Sequence, residues 1–126
     1  MEWTTIVNRV HDADITVPDI SSDTFAVTIQ LKDYAGNNLK VPASVLCYVS
    51  SDSDGLDPSD LTSDITTTSD GDGAVIPILT KYAWQLISEA DGSIDIDVTD
   101  SGSDTLYLVL VMPDGKLVVS DELEFT

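Results

Sequence analysis

Between Ser51 and Asp64 the chain reads SDSDGLDPSDLTSD, five aspartates in fourteen residues with no base among them. Carboxylates in a glycine-containing loop are the ligands a hard cation such as calcium takes. The helix-loop-helix calcium pattern wants acids at its first, third and fifth positions, glycine at the sixth and a bidentate glutamate at the twelfth. Here the glycine comes fourth from Asp52 and the glutamate is missing. What remains is irregular calcium coordination, through Asp52, Asp54 and Asp57 or through Asp70 and Asp72 in the SDGDG stretch at 69–73. Against it stands the reading of both stretches as solvated turns punctuated by Gly55 and Pro58.

Catalytic chemistry finds few residues to work with. His11 is the single histidine, so no multi-histidine metal site can be built, and it reads as an isolated surface side chain. The chain contains no GxSxG elbow, phosphate-binding glycine loop, HExxH or CxxC. Paired carboxylates are so abundant that no one pair stands out. The expectation is a non-enzymatic protein with no cofactor. Cys47 has no second cysteine to pair with, and inside the apolar run VLCYV it reads as a small buried hydrophobe. Trp84 reads as a core residue; Trp3 has no assigned role.

The elements that must position these residues show period two. In TFAVTIQLK, residues 24–32, Phe25, Val27, Ile29 and Leu31 share one face and polar residues with Ala26 the other; SIDIDVT at 93–99 alternates in the same way. Further strands are expected at 4–10, 43–50, 62–68, 74–79, 82–88, 105–112 and 116–126, separated by Gly- and Asp-rich turns. The segment KYAWQLISEA at 81–90 is the best helical candidate, but its aromatic and β-branched content and the DG turn after it favour a strand. The fold class expected is all-β: an antiparallel two-sheet sandwich of immunoglobulin-like type with about seven to nine strands and essentially no helix. Residues 1–126 form one domain, with 1–20 an N-terminal arm or first strand.

Two strands depart from clean alternation. TLYLVLVMP at 105–113 is apolar on both faces, and at 43–50 Val45, Cys47 and Val49 face one way while Leu46 and Tyr48 face the other. Leu46, Tyr48, Tyr107, Val109 and Val111 therefore point outward, and Val118 shares the outward side of the last strand with Glu122 and Glu124. An apolar outer face of that extent is a candidate protein interface. The alternative is that the N-terminal segment or the 51–64 loop folds back over it.

Composition bounds the partners. The 126 residues carry 23 acids against five lysines and arginines, a formal net charge of −18, and a surface so negative repels nucleic acid and anionic membranes alike. No apolar run reaches the length of a membrane helix, and the N-terminal stretch has no export-signal pattern, so assembly in the cytoplasm is expected.

The run TFAVTIQLKDYAGNNLKVPASVLCYVSSD, with its LKDxxGN turn between two strands, resembles the opening of bacterial and phage immunoglobulin-like domains. The later DGDGAVIPI and EADGSIDIDVTDSGSDTLYLVLVMPDGKLVVSDELEF are similar to small virion proteins of tailed bacteriophages. The resemblance covers residues 24–126 through turn and strand patterns, without a catalytic signature or a binding motif that could be carried over residue by residue. It implies a capsid decoration or related virion component, assembled in the host cytoplasm. The partner it implies is the major capsid protein or another virion protein, with a homo-oligomer as a further option and a tail location as a variant. A second expectation keeps the sandwich as an adhesion or carbohydrate-binding module assisted by calcium. A third, a DNA mimic, would need carboxylates spaced like phosphates on one face, whereas they occur in turns all along the chain.

Overall fold

The structure is a computed structural model describing residues 9–18, 23–69 and 71–126, and within these every regular element is a β-strand. In chain order they are β1 (Asp12–Thr16), β2 (Thr24–Lys32), β3 (Ser44–Ser50), β4 (Pro58–Ser59), β5 (Thr66–Thr67), β6 (Ala74–Leu79), β7 (Ala83–Ile87), β8 (Ser93–Thr99), β9 (Thr105–Val111), β10 (Leu117–Val119) and β11 (Leu123–Glu124). Eight of the eleven have three or more residues, which explains why the count exceeds nine. The strand expected at 4–10 falls mostly outside the described residues, as does Trp3; the stretch at 62–68 shrinks to β5; β1 and β4 are additional.

The strands form two antiparallel sheets. One has the order β1-β2-β8-β5; the other runs β10-β9-β3-β7-β6, with β11 also pairing with β9 and β4 with β3. Pairing of β2 with β8 sets Phe25 against Val98, Val27 against Ile96 and Ile29 against Ile94, and all six are buried. Trp84 and Leu86 of β7, Val45, Cys47 and Val49 of β3, and Leu108 and Leu110 of β9 meet them from the second sheet. Each large aliphatic or aromatic side chain so buried contributes about 1.5–3 kcal/mol. Phe25 and Phe125 meet edge to face at 5.1 Å between centroids, where the chain end closes over the first sheet. The candidate helix at 81–90 is β7, and its alternation puts Trp84 and Leu86 inward and Ala83, Gln85 and Ile87 outward.

The last segment corrects one expectation. Val118 pairs with Leu110 and packs against the core, so it does not point outward with Glu122 and Glu124. Ser120 meets Leu108 while Leu123 meets Leu106, so three steps on one strand answer two on its neighbour. The extra residue inverts the alternation between β10 and β11. Ser120 lends its side chain to the broken ladder: its N–H donates to Leu108 O at 2.8 Å, and its hydroxyl accepts from Leu108 N at 2.9 Å and donates to Asp121 O.

Candidate functional site

The outer faces of the two sheets differ in kind. On the four-stranded sheet the outward side chains of β1, β2 and β8 are Asp, Thr, Ser, Gln and Lys apart from Ala26, and they bond to one another: Thr28 donates to Asp95 at 2.8 Å, Thr24 meets Thr99 at 3.0 Å, and Lys32 lies 3.5 Å from Asp14. That face is built for water. On the second sheet one row across five strands reads Leu117, Val111, Leu46, Gln85, Ile76, and the next reads Val119, Val109, Tyr48, Ala83, Leu79. Neither row contains a charged residue, in a chain carrying 23 acids.

Cover over this face is uneven. The loop 51–57 turns back on it, held by Ser50, whose hydroxyl accepts from the backbone N–H groups of Asp52 and Asp57, and by Tyr48, whose hydroxyl donates to Gly55 O at 2.6 Å. Gly55 comes so close that a Cβ there would lie 3.3 Å from methyls of Val109 and Val119. Val109, expected outward and open, is outward but fully buried. Tyr48, Tyr107 and Val111 are half-buried. Leu46 is the expected residue left most open, at 43% exposure, and its cross-strand surroundings extend to Ile76 at 47% and Leu79 at 59%. The open part of the face therefore lies on β3, β7 and the edge strand β6, with Ile78 exposed beside it, and is shifted away from the closing hairpin. The signal that points to β6 is its own sequence, AVIPIL, apolar on both faces like 105–112.

The acidic residues proposed as calcium ligands separate. Asp54 accepts from Leu56 N, Asp57 from the Ser51 hydroxyl, and Asp52 O from Gly55 N, so these three build the loop that covers Val109 and Val119. Asp70 lies outside the described residues. Asp72 is brought together with Glu89 and Asp95, one carboxylate oxygen of each within 4.8 Å of the others; Glu89 also accepts from the Ser93 hydroxyl and Asp95 from that of Thr28. Glu89 and Asp95 come together through the 89–93 turn, where Glu89 N donates to Ser93 O, and Asp72 joins them because Asp95 N donates to Asp72 O at 3.2 Å, a pairing that spacing in the chain does not reveal.

His11 is half-buried and stacked on Tyr34, ring centroids 4.1 Å apart, with Nδ1 3.8 Å from Asp114 Oδ2. Beside them a cleft of about 480 Å³ is lined by Arg9, Tyr34, Val41, Pro42 and Pro113, among others. Cys47 is 1% exposed, and burial pushes its thiol far above the ordinary range, which leaves it inert as a nucleophile. Trp84 is fully buried, its indole N–H donating to Asp64 at 3.2 Å.

Comparison with protein-family models, curated proteins and solved structures returns no match for this chain.

Proposed function

We propose that this is a non-enzymatic structural protein that docks by the outer face of its second sheet on a larger assembly, as a decoration protein on the head of a tailed-bacteriophage particle. The observation that carries the reading is the contrast between the two outer faces: one polar and internally hydrogen-bonded, the other two uncharged rows with Leu46, Ile76 and Leu79 open to water. A face of that kind gains from a protein partner, while the acidic turns around it keep decorated particles apart. The assignment to a virion rests on the resemblance of the turn and strand patterns. Strand order supports its immunoglobulin-like part: with β1, β2, β8 and β5 lettered A, B, E and D, and β3, β9 and β10 lettered C, F and G, the neighbours fall as ABED and CFG. The β6-β7 hairpin, inserted between D and E, joins the free edge of C and widens the face proposed to dock.

The test is co-sedimentation of the purified chain with assembled heads, and separately with tails, of the particle that encodes it. Native protein binds heads, and Leu46→Asp combined with Ile76→Asp weakens binding by at least about tenfold, since two charges would be desolvated at the contact. Native protein that stays a monomer and sediments with neither structure refutes the reading; binding to tails alone moves it to the tail.

A further inference from the structure

The two ends of β3 carry complementary features. Past its last residue the 51–57 loop presents Leu56, which at 70% is the most exposed large apolar side chain among the described residues, with Asp54 two positions before it and Asp57 directly after. The loop is held in place: Ser51 N donates to Asp57 O at 3.0 Å, Gly55 N to Asp52 O at 3.1 Å, and the hydroxyls of Ser50 and Tyr48 tie the same stretch to the sheet. A leucine on a loop already ordered loses little freedom when a partner buries it.

Before the first residue of β3 lies the cleft of about 480 Å³, its walls made by Tyr34, Val41, Pro42 and Pro113. Tyr34 and Val41 are exposed there. The basic residue of the lining is Arg9, the one arginine of the sequence, and it makes no ion pair among the described residues, whereas Lys32 and Lys116 hold Asp14 and Asp12. Asp114, the acid of the lining, faces His11 at 3.8 Å. An unpaired guanidinium beside apolar walls fits a ligand that carries an apolar side chain flanked by carboxylates.

The stretch Asp54 to Asp57 has that chemistry, but it cannot reach the cleft of its own chain. Ala43, on the cleft, precedes β3 and Ser51 follows it, so seven residues of extended strand, about 23 Å, separate the two. We infer that Leu56 of one copy of this chain enters the cleft of a second copy, whose Arg9 pairs with Asp54 or Asp57. Knob and cleft are different surfaces, so the contact is head-to-tail: each copy keeps one knob or one cleft free for the next, and the assembly is a ring where the rotation closes and a filament where it does not. A loop tip in a cleft is a small contact, so the association is weak in solution. It uses neither Leu46 nor Ile76 and stands independently of the docking face proposed above.

The experiment is sedimentation velocity of the full chain from about 10 μM to about 1 mM in about 0.15 M NaCl, where screening limits the repulsion between copies to about 8 Å. Native protein moves from monomer toward larger species as concentration rises. Leu56→Asp and Arg9→Glu, both at exposed positions, each weaken self-association by at least about tenfold. Mixed in equal amounts, the two variants form a dimer and nothing larger, because the first retains a working cleft and the second a working knob. A native chain that stays monomeric over the whole range overturns the inference, as does association undiminished in both variants, or a mixture that remains monomeric while each variant melts like the native protein. Leu46→Asp combined with Ile76→Asp self-associates like the native chain; loss of association there would assign the contact to the second sheet instead and overturn the inference as well.

Discussion

Gly55 occupies the closest approach of the 51–57 loop to the sheet beneath it. Its φ of +80° is one that only glycine adopts without strain, and the methyls of Val109 and Val119 stand 3.3 Å from where a Cβ would be. Gly115, in the β9-β10 turn, has a similar φ of +90° but nothing within 4 Å. Gly115→Ala should therefore cost only the backbone strain, about 1 kcal/mol, while Gly55→Ala should cost about 1–3 kcal/mol more by overpacking against the two valines. Urea unfolding of the two variants measures the difference, and equal losses would mean that the loop does not seal the sheet. That 51–57 contains a turn is legible from Gly55 and Pro58. That it seals Val109 is not, because the contact joins residues more than fifty positions apart. Cys47 and Trp84 are legible as core residues because alternation within one strand is enough to place them.

At the scale of elements, the junction of β10 and β11 tests how the second sheet keeps its register. Ser120 is buried and its hydroxyl is the acceptor for Leu108 N, so it substitutes for a backbone carbonyl at the point where the extra residue breaks the ladder. Ser120→Ala strands that N–H in the core at a cost of about 1–3 kcal/mol, whereas Ser120→Thr, which retains the hydroxyl, should recover part of it. Chemical denaturation measures both, and an Ala variant as stable as the native chain would show that water takes over the bond. The parity change made here is what a reading of 116–126 as one strand misses: a single inserted residue exchanges inside for outside, and LVVSDELEF carries no glycine or proline to announce it. The edge strand β6 is protected differently, by Pro77 and by the irregular pairing between Pro77 and Leu79, both of which discourage another strand from adding to an apolar edge.

Across the whole molecule, the large negative charge works against the compact state. With −18 in formal charge and two lysine–aspartate pairs among the described residues, Lys32–Asp14 at 3.5 Å and Lys116–Asp12 at 3.2 Å, self-repulsion opposes compaction. Screening shortens from about 30 Å at 0.01 M salt to about 3 Å at 1 M, so Tm should climb by several degrees as NaCl is raised from about 10 mM to about 0.5 M. A Tm that is flat or falling in a salt series would show that the acids are already neutralised by another means. The same charge makes the uncharged rows on the second sheet stand out. Period-two patterning by itself determined the all-β class, the inward residues of the long strands and the acidic exterior, because these depend on neighbours within one strand and on composition alone. Only the tertiary structure decided which outward residues are covered, that Ile76 and Leu79 extend the open face from Leu46, and that Asp72 meets Glu89 and Asp95. Each of those facts depends on strand order and loop return across distant parts of the chain, and the spacing of residues along a sequence does not encode which strand becomes its neighbour.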